Sequence, residues 1–345
     1  MSPDPTVTPP VAAHPPLLEV SGLRVEFGEA HAVLRPVEDV SFTVSAGETL
    51  ALVGESGCGK TLTATGVLGV APPGGRLSGR VRFEGRDLLT LRPDELLEVR
   101  GARVGFVFQE PSVALNPVYT IGEHIREVLE VHGLARGEAA LARAAALLEE
   151  VVLSPGAGIL DSYPHQLSGG MAQRAVIALA LACDPSLLVA DEPTTALDVT
   201  TQAQVLALLR RLRDRRGLAL LLVTHDLALA RQHADRIAVV YAGRIVEQAP
   251  AAALFARPSH PYTRALLASA PGGPPGQRLR AIPGGAPSPG ARPPGCAFAP
   301  RCPDVGPDCA AGVPGLYTVE PDHAVRCILC RGEESAARDD AAGGS

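Results

Sequence analysis

Short apolar runs alternate with helical patterns along most of this chain, and several of the runs end beside a glycine or a polar residue. The runs of most interest are Leu50–Gly54, Val104–Phe108, Leu187–Ala190 and Leu218–Thr224. Unbroken apolar runs of this length are typical of parallel strands that are buried on both faces, and ligands bind where such strands end. Strand-like alternation begins at Leu17, and residues 137–153 have helical spacing. The pattern predicts an α/β fold around a mainly parallel sheet.

Proline and glycine mark the boundaries of the predicted domain. Residues 271–295 contain 15 Gly or Pro residues, which indicates a linker. A proline-rich lead precedes Leu17, and a polar stretch follows the last cysteine. The predicted segments are a disordered lead over 1–16, the α/β domain over 17–270, the linker over 271–295, a small Cys-rich extension over 296–330 and a disordered tail over 331–345.

Charge and hydropathy narrow the class of partner. The 345 residues carry a formal net charge of -6 without a local basic patch, so we expect no nucleic-acid partner. The apolar runs are all shorter than the roughly 20 residues that span a bilayer. The first residues lack the basic and apolar regions of a signal peptide, and we therefore expect a cytoplasmic protein.

A glycine-rich loop follows the first predicted strand of the sheet. Its sequence GESGCGKT matches the phosphate-binding pattern G-x-x-x-x-G-K-[ST]. The candidate nucleotide contacts are Gly54, Glu55, Ser56, Gly57, Cys58, Gly59, Lys60 and Thr61. Glycines allow backbone N–H groups to converge on phosphates at a helix N-terminus. Lys60 would reach the β- and γ-phosphates, and the Thr61 hydroxyl would bind Mg²⁺.

A second strand end supplies two adjacent carboxylates. In LLVADEP the apolar run meets Asp191, a candidate Mg²⁺ ligand, and Glu192, a candidate group for polarising an attacking water. An apolar run that ends in Asp-Glu is also common where a strand simply meets solvent. Together with the phosphate-binding loop it favours a nucleotide hydrolase, because phosphoryl transfer depends on positioned charge more than on covalent chemistry.

The stretch LSGGMAQR narrows the field of nucleotide hydrolases. Ser168, Gly169 and Gly170 head a helical run, so their N–H groups and the serine hydroxyl form a second candidate anion site. With these motifs the chain resembles the ATP-binding cassette family of transporter ATPases. The resemblance implies a P-loop ATPase fold with a RecA-like core, an antiparallel β subdomain and a helical signature subdomain. It also implies that two subunits enclose two ATP molecules, with Ser168 facing the ATP of the opposite subunit.

Four further residues match positions to which that family gives a role. The resemblance implies that Phe27 stacks on adenine and that Gln109 senses Mg²⁺ and the attacking water. It also implies that Asp198 lies in a loop crossing the dimer interface and that His225 contacts the γ-phosphate. The alternatives are a core role for Phe27 and a structural role for His225.

Two longer stretches indicate a subfamily. FQEPSVALNPVYTIGEHI and RPSHPYTRALLASAP, residues 108–125 and 257–271, resemble the ATPase subunits of dipeptide and oligopeptide importers, a group that also includes nickel and other small-solute systems. The resemblance implies an ATP-hydrolysing subunit at the cytoplasmic face of a bacterial membrane. Its partners would be two membrane permease subunits, a second similar ATPase subunit in a homo- or heterodimer and, indirectly, an extracytoplasmic solute-binding protein. The alternatives are nickel or another small solute as cargo, and a soluble cassette ATPase without a transport role.

The same importers carry a Cys-rich extension like the one predicted here. Cys296, Cys302, Cys309 and Cys327 leave gaps of five, six and 17 residues, and Cys330 is an additional thiol. From Cys296 to Cys330 there are 35 residues, and a unit of fewer than about 40 residues usually needs a disulfide or a metal when it stands alone. The reducing cytosol disfavours disulfides. The resemblance implies a [4Fe–4S] cluster on the first four cysteines, with Zn²⁺ or no metal as the alternatives.

Overall fold

A computed structural model describes residues 15–28, 33–154, 158–195, 197–269 and 281–331 of the chain. Most of the predicted lead, most of the predicted tail and the first part of the predicted linker therefore lie outside the described residues. None of the described helices is long and apolar enough to cross a membrane.

Strands and helices alternate through the described residues as the sequence pattern predicts. The strands are β1 (Leu18–Phe27), β2 (Leu34–Val44), β3 (Thr49–Val53), β4 (Gly75–Phe83), β5 (Arg86–Asp87), β6 (Val104–Val107), β7 (Leu187–Asp191), β8 (Ala219–Thr224), β9 (Arg236–Tyr241), β10 (Arg244–Pro250), β11 (Tyr317–Glu320) and β12 (His323–Val325). The helices are α1 (Lys60–Val67), α2 (Pro93–Val99), α3 (Pro111–Ala114), α4 (Ile121–Val131), α5 (Gly137–Glu150), α6 (Gly169–Ala180), α7 (Val199–Arg216), α8 (Leu227–His233), α9 (Ala251–Ala256) and α10 (Pro261–Ser269).

The larger sheet holds the four apolar runs of the sequence side by side. Its strand order is β11-β12-β10-β9-β3-β8-β7-β6, and the neighbours from β9 to β6 are parallel. Every residue of β3, β7 and β8 is buried, because these strands are covered on both faces. This arrangement confirms the prediction of an α/β fold with a parallel core.

Two hydrophobic cores lie on opposite faces of this sheet. In β7, Leu187 and Val189 pack in the core beneath a smaller antiparallel sheet, whose strand order is β2-β1-β4-β5. Their neighbours Leu188 and Ala190 pack in the other core, with α4, α5, α6 and α7. The alternation follows from the two-residue period of a strand. The carboxyl ends of β3, β6, β7 and β8 consequently meet along one edge, between a β-rich layer and a helical layer.

The C-terminal extension is part of the larger sheet. Strand β12 pairs antiparallel with β10, through Glu247 opposite Val325 and Gln248 opposite Ala324, and β11 pairs with β12. Earlier in the extension, the Phe298 ring is buried against the α/β domain of residues 17–270. The small size of the extension predicts a unit that needs a disulfide or metal of its own. The structure differs from this expectation, because the α/β domain supplies the extension with both a strand partner and a hydrophobic core.

Candidate nucleotide site

The glycine-rich loop lies between the buried strand β3 and helix α1, as the phosphate-binding motif requires. A Cβ atom at Gly54 would lie 2.2 Å from the carbonyl oxygen of Val240, so only glycine fits there. Gly59 has a φ of 104° and turns the chain into α1, which begins at Lys60. The Lys60 ammonium donates hydrogen bonds to the carbonyl oxygens of Gly54 and Glu55 at 2.9 and 3.1 Å. The loop is thus closed around its lysine, with the positive end of a helix dipole behind it.

Oxygen ligands for a divalent cation lie at the junction of α1 and β7. The Thr61 hydroxyl is 3.2 Å from a carboxylate oxygen of Asp191, which is 3% exposed. Burial raises the pKa of Asp191 above its usual value, while the Thr61 hydroxyl acts in the opposite direction. A hydroxyl and a carboxylate are hard oxygen donors of the kind that Mg²⁺ takes beside phosphate. These two residues therefore fit the Mg²⁺ role expected of them.

The Glu192 carboxylate is the centre of a small polar cluster. One of its oxygens accepts a hydrogen bond from the Thr195 hydroxyl at 2.9 Å and lies 3.4 Å from the Gln109 amide nitrogen. The same oxygen is 3.2 Å from Nδ1 of His225, and the other oxygen is 3.7 Å from the Lys60 ammonium. The structure brings Gln109, Glu192 and His225 together, although they come from three different strand ends.

The backbone at Glu192 is unusual. Its φ of 44° lies in the left-handed region, which is uncommon outside glycine and costs about 1–3 kcal/mol. The conformation turns the chain sharply after Asp191, so that two successive carboxylates serve different partners. Asp191 meets Thr61, and Glu192 meets the cluster of Lys60 and His225. Such strain is common where a site requires a particular geometry.

Ser168 and Asp198 begin two neighbouring helices. The Ser168 hydroxyl accepts a hydrogen bond from the Met171 N–H at the start of α6, and Asp198 accepts one from the Thr201 N–H at the start of α7. A Cβ atom at Gly170 would lie 2.5 Å from a methyl group of Thr201, so the two helix starts approach closely. Ser168, Gly169 and Asp198 are exposed. Together they form a polar surface that is open to another molecule.

Phe27 closes the first strand of the antiparallel sheet, where it pairs with Leu34 and Gly75. Its ring is half-buried and packs against the core beneath that sheet. The core role weighed as an alternative is therefore present, and stacking on adenine stays a prediction.

Three contacts at the loop were not foreseen from the sequence. The Glu55 N–H donates a hydrogen bond to the Tyr262 hydroxyl at 3.0 Å. The Glu55 carboxylate accepts two hydrogen bonds from Arg301, at 2.8 and 2.9 Å. Within the loop, Cys58 is 2% exposed and burial raises the pKa of its thiol, which agrees with a neutral side chain. The sequence marks the stretches that contain Tyr262 and Arg301 as features of a subfamily, but nothing in it indicates that these two residues contact the loop.

The cysteines of the extension do not form a ligand set. Among the residues that the structure describes, no group of three or more His, Cys, Asp or Glu side chains is arranged to hold a metal ion. Burial raises the pKa of Cys296 and Cys302, whereas a hydrogen bond with Cys330 lowers the pKa of Cys327 to about 7. The [4Fe–4S] cluster expected from the resemblance and the zinc alternative both stay predictions.

A strand, a phosphate-binding loop and a helix beside two strand-end carboxylates define a P-loop nucleotide hydrolase. Comparison with known sequence families matches residues 37–195 to "ABC transporter" and residues 246–309 to "Oligopeptide/dipeptide transporter, C-terminal region". The chain belongs to the family of ATP-binding subunits of ABC transporters, which are ATPases. Within that family it carries the C-terminal region of the oligopeptide/dipeptide group.

Similar proteins cover nearly the whole chain. A probable peptide ABC transporter ATP-binding protein of Sinorhizobium fredii is 47% identical, over 90% of this chain and 94% of that protein. The oligopeptide transport ATP-binding protein AppD of Bacillus subtilis is 46% identical, over 91% and 96%. The dipeptide transport ATP-binding protein DppD of Escherichia coli is 44% identical, over 90% and 96%.

Among solved structures, the ATP-binding cassette MJ0796, a dimer in a post-hydrolysis state bound to ADP and Pi, superposes with a TM-score of 0.61. It is 29% identical and covers 68% of this chain and 98% of its own. The cassette fold is therefore shared over about two thirds of this chain.

Proposed function

We propose that this chain is the ATP-hydrolysing subunit of an importer for dipeptides or oligopeptides. The observation that carries the proposal is the convergence of Lys60, Gln109 and His225 on the Glu192 carboxylate beside a closed phosphate-binding loop. The peptide cargo is supported by the names of the similar proteins from Bacillus subtilis and Escherichia coli. Its partners are two membrane permease subunits and a second ATPase subunit at the cytoplasmic face of a bacterial membrane, with a solute-binding protein outside.

In this proposal, residues 54–61 bind the phosphates of ATP, and Thr61, Asp191 and Gln109 would hold Mg²⁺. Bound Mg²⁺ would neutralise charge that develops on the transferred phosphoryl group. The Glu192 carboxylate orients and polarises the attacking water, and the exposed His225 ring contacts the γ-phosphate. The supporting geometry is that both side chains already lie within 3.2 Å of each other at a strand edge.

The signature residues Ser168, Gly169 and Gly170 act on the ATP of a partner subunit in this proposal. Support comes from the exposure of Ser168 and Gly169 and from the surface that they share with Asp198. The N-terminus of α6 supplies N–H groups and a positive dipole end that favour an anion. A second copy or a similar ATPase chain would bring its own nucleotide to this surface.

The test of hydrolysis compares two variants of the phosphate site. Glu192→Gln should keep ATP affinity and lower turnover by about 10²- to 10⁴-fold, the range for a lost general base. Lys60→Ala should lose ATP binding, because the ammonium that closes the loop is removed. Wild-type turnover in Glu192→Gln would overturn the assignment.

The test of cargo measures uptake in cells that carry the transporter with wild-type or Glu192→Gln subunits. Uptake of labelled di- and oligopeptides should depend on an active subunit. Dependence of nickel uptake alone would favour the nickel alternative. Uptake of neither, with ATPase activity intact, would favour the soluble cassette alternative.

The [4Fe–4S] cluster on Cys296, Cys302, Cys309 and Cys327 rests on the resemblance. A cluster gives a coloured protein, whereas d¹⁰ Zn²⁺ is colourless. Iron and zinc analysis of anaerobically purified wild-type and Cys302→Ser protein decides between them, and the absence of both metals from the wild type would refute the cluster.

A further inference from the structure

An acidic residue stands inside the loop that is proposed to bind the phosphates of ATP. Glu55 follows Gly54 directly, and its carbonyl oxygen accepts a hydrogen bond from Lys60. An uncompensated carboxylate in this loop would disfavour a bound nucleotide triphosphate, because like charges repel. The loop therefore needs a cation that holds the Glu55 side chain.

That cation comes from the C-terminal extension. The Arg301 guanidinium forms a two-pronged pair with both oxygens of the Glu55 carboxylate, at 2.8 and 2.9 Å. Arg301 is 6% exposed and Glu55 is 27% exposed, so solvent screens the pair weakly. Paired hydrogen bonds of this kind fix direction as well as charge. The Glu55 bonds raise the pKa of Arg301 above its already high value, so the charge is permanent.

The position of Arg301 is itself determined by its surroundings. Its guanidinium lies 5.8 Å from the centre of the Tyr241 ring and 5.9 Å from that of Phe298, and its Nε donates to the carbonyl oxygen of Pro283 at 2.8 Å. Tyr241 and Phe298 also pack with Tyr262, whose hydroxyl accepts the Glu55 N–H. The Glu55 backbone is thus held by Tyr262 and its carboxylate by Arg301, and both of these side chains pack in the same aromatic group.

We propose that Arg301 is a positioning residue for ATP binding, which neutralises Glu55 and fixes the phosphate-binding loop in its receptive shape. It acts through Glu55 and does not touch the nucleotide. Through this one side chain, the extension then influences the affinity of the chain for ATP. This inference rests on the proposed role of residues 54–61.

The experiment measures ATP affinity of the full-length chain by calorimetry and, separately, KM and kcat for ATP. Arg301→Ala should weaken ATP binding and raise KM by about 5- to 150-fold, the usual range of coupling between two sites. The value of kcat at saturating ATP should change less than about twofold, because Glu192 and its neighbours are untouched. Arg301→Gln removes the charge with less loss of packing and should act in the same direction.

The decisive variant is the double substitution Arg301→Ala with Glu55→Gln. It removes the carboxylate that Arg301 neutralises, so it should recover most of the lost affinity. A role of Arg301 limited to folding the extension predicts no recovery. The matched control is Arg326→Ala, because Arg326 is a similarly buried arginine that ties the extension to Asp39 and to the Ile245 carbonyl, away from the loop. It should lower the melting temperature and leave ATP affinity unchanged.

Unchanged ATP affinity in both Arg301 variants would overturn the inference, and so would a double variant as weak as Arg301→Ala. If Arg301→Ala does not fold, Arg301→Gln with and without Glu55→Gln gives the same comparison. Lys60→Ala tests the role of the loop in ATP binding separately from the role of Arg301. If that variant still binds ATP, the assignment of the loop is wrong, whatever Arg301 does.

Discussion

His260 is expected to make the folded chain sensitive to acid. Its ring is 1% exposed, and Nδ1 accepts a hydrogen bond from the Tyr262 N–H at 3.0 Å. Within the described residues, Nε2 has no hydrogen-bond partner. Burial lowers the pKa of His260 from 6.5 to about 4; the Glu247 carboxylate opposes the shift, and the Arg264 charge adds to it. Protonation would place a charge in the core and remove the acceptor that Tyr262 uses.

The direction and size of the effect follow from that pKa. Between pH 6.5 and about 4 the unfolded chain binds a proton at His260 that the folded chain does not bind. Stability therefore falls as the pH falls through this window. One pKa unit corresponds to about 1.4 kcal/mol, so His260 should lower the free energy of unfolding by about 3 kcal/mol between pH 7 and pH 4.

The measurement is the free energy of unfolding by denaturant titration from pH 7 to pH 4, for wild type and His260→Asn. Asparagine offers an oxygen near the position of Nδ1 and does not titrate, so the stability advantage of wild type should shrink by about 3 kcal/mol toward pH 4. Groups such as Glu247 titrate in both proteins and largely cancel in the difference. His165→Asn, at an exposed histidine, is the control and should follow wild type. Parallel curves for wild type and His260→Asn would show that His260 does not cause the loss of stability toward acid pH.

Three further outcomes are expected. Phe298→Ala should destabilise the chain by about 3–5 kcal/mol, since the ring is 1% exposed; a melting temperature equal to wild type would contradict this. Gly54→Ala should weaken ATP binding measured by calorimetry, because its Cβ would lie 2.2 Å from the Val240 carbonyl oxygen; wild-type affinity would show that the loop tolerates the atom. If two subunits share each site, Ser168→Arg and Lys60→Ala chains should each be inactive alone and should regain ATPase activity on mixing, since a mixed dimer keeps one intact site; no recovery on mixing would count against shared sites.

The local hydrophobic pattern was sufficient to predict the central strands and the polar residues at their ends. The runs that begin near Leu50, Val104, Leu187 and Leu218 are all strands, as is typical of short, fully apolar segments in a sheet covered on both faces. Once those strands are parallel neighbours, the residues that follow them must share one edge, which brings Gln109 close to the other strand-end residues. Boundaries were less accurate: the predicted helix over 137–153 ends at Glu150, where the chain turns through Val151.

The contacts of the extension were not predictable from local pattern. Composition indicated a flexible linker over 271–295, yet its described part is held to the cassette. Arg292 donates hydrogen bonds to the Glu38 carboxylate at 2.7 Å and to the Arg35 carbonyl oxygen at 2.6 Å. Glycine and proline report on the local freedom of the backbone. They carry no information about partners more than 200 residues away in the chain, and such partners decide where this segment lies.

Glu55 shows why the phosphate-binding loop and the Cys-rich extension belong to one physical unit. The pattern G-x-x-x-x-G-K-[ST] leaves this position open, so the loop chemistry itself does not ask for a carboxylate. A carboxylate there opposes phosphate binding unless a cation neutralises it, and the Arg301 guanidinium meets both of its oxygens from a segment 246 residues further along the chain. The presence of Glu55 in this loop is therefore explained together with Arg301, which neutralises it. It follows that a cassette cut off before the extension would keep every nucleotide motif of the sequence and would still lack the residue that makes one of them suited to an anion.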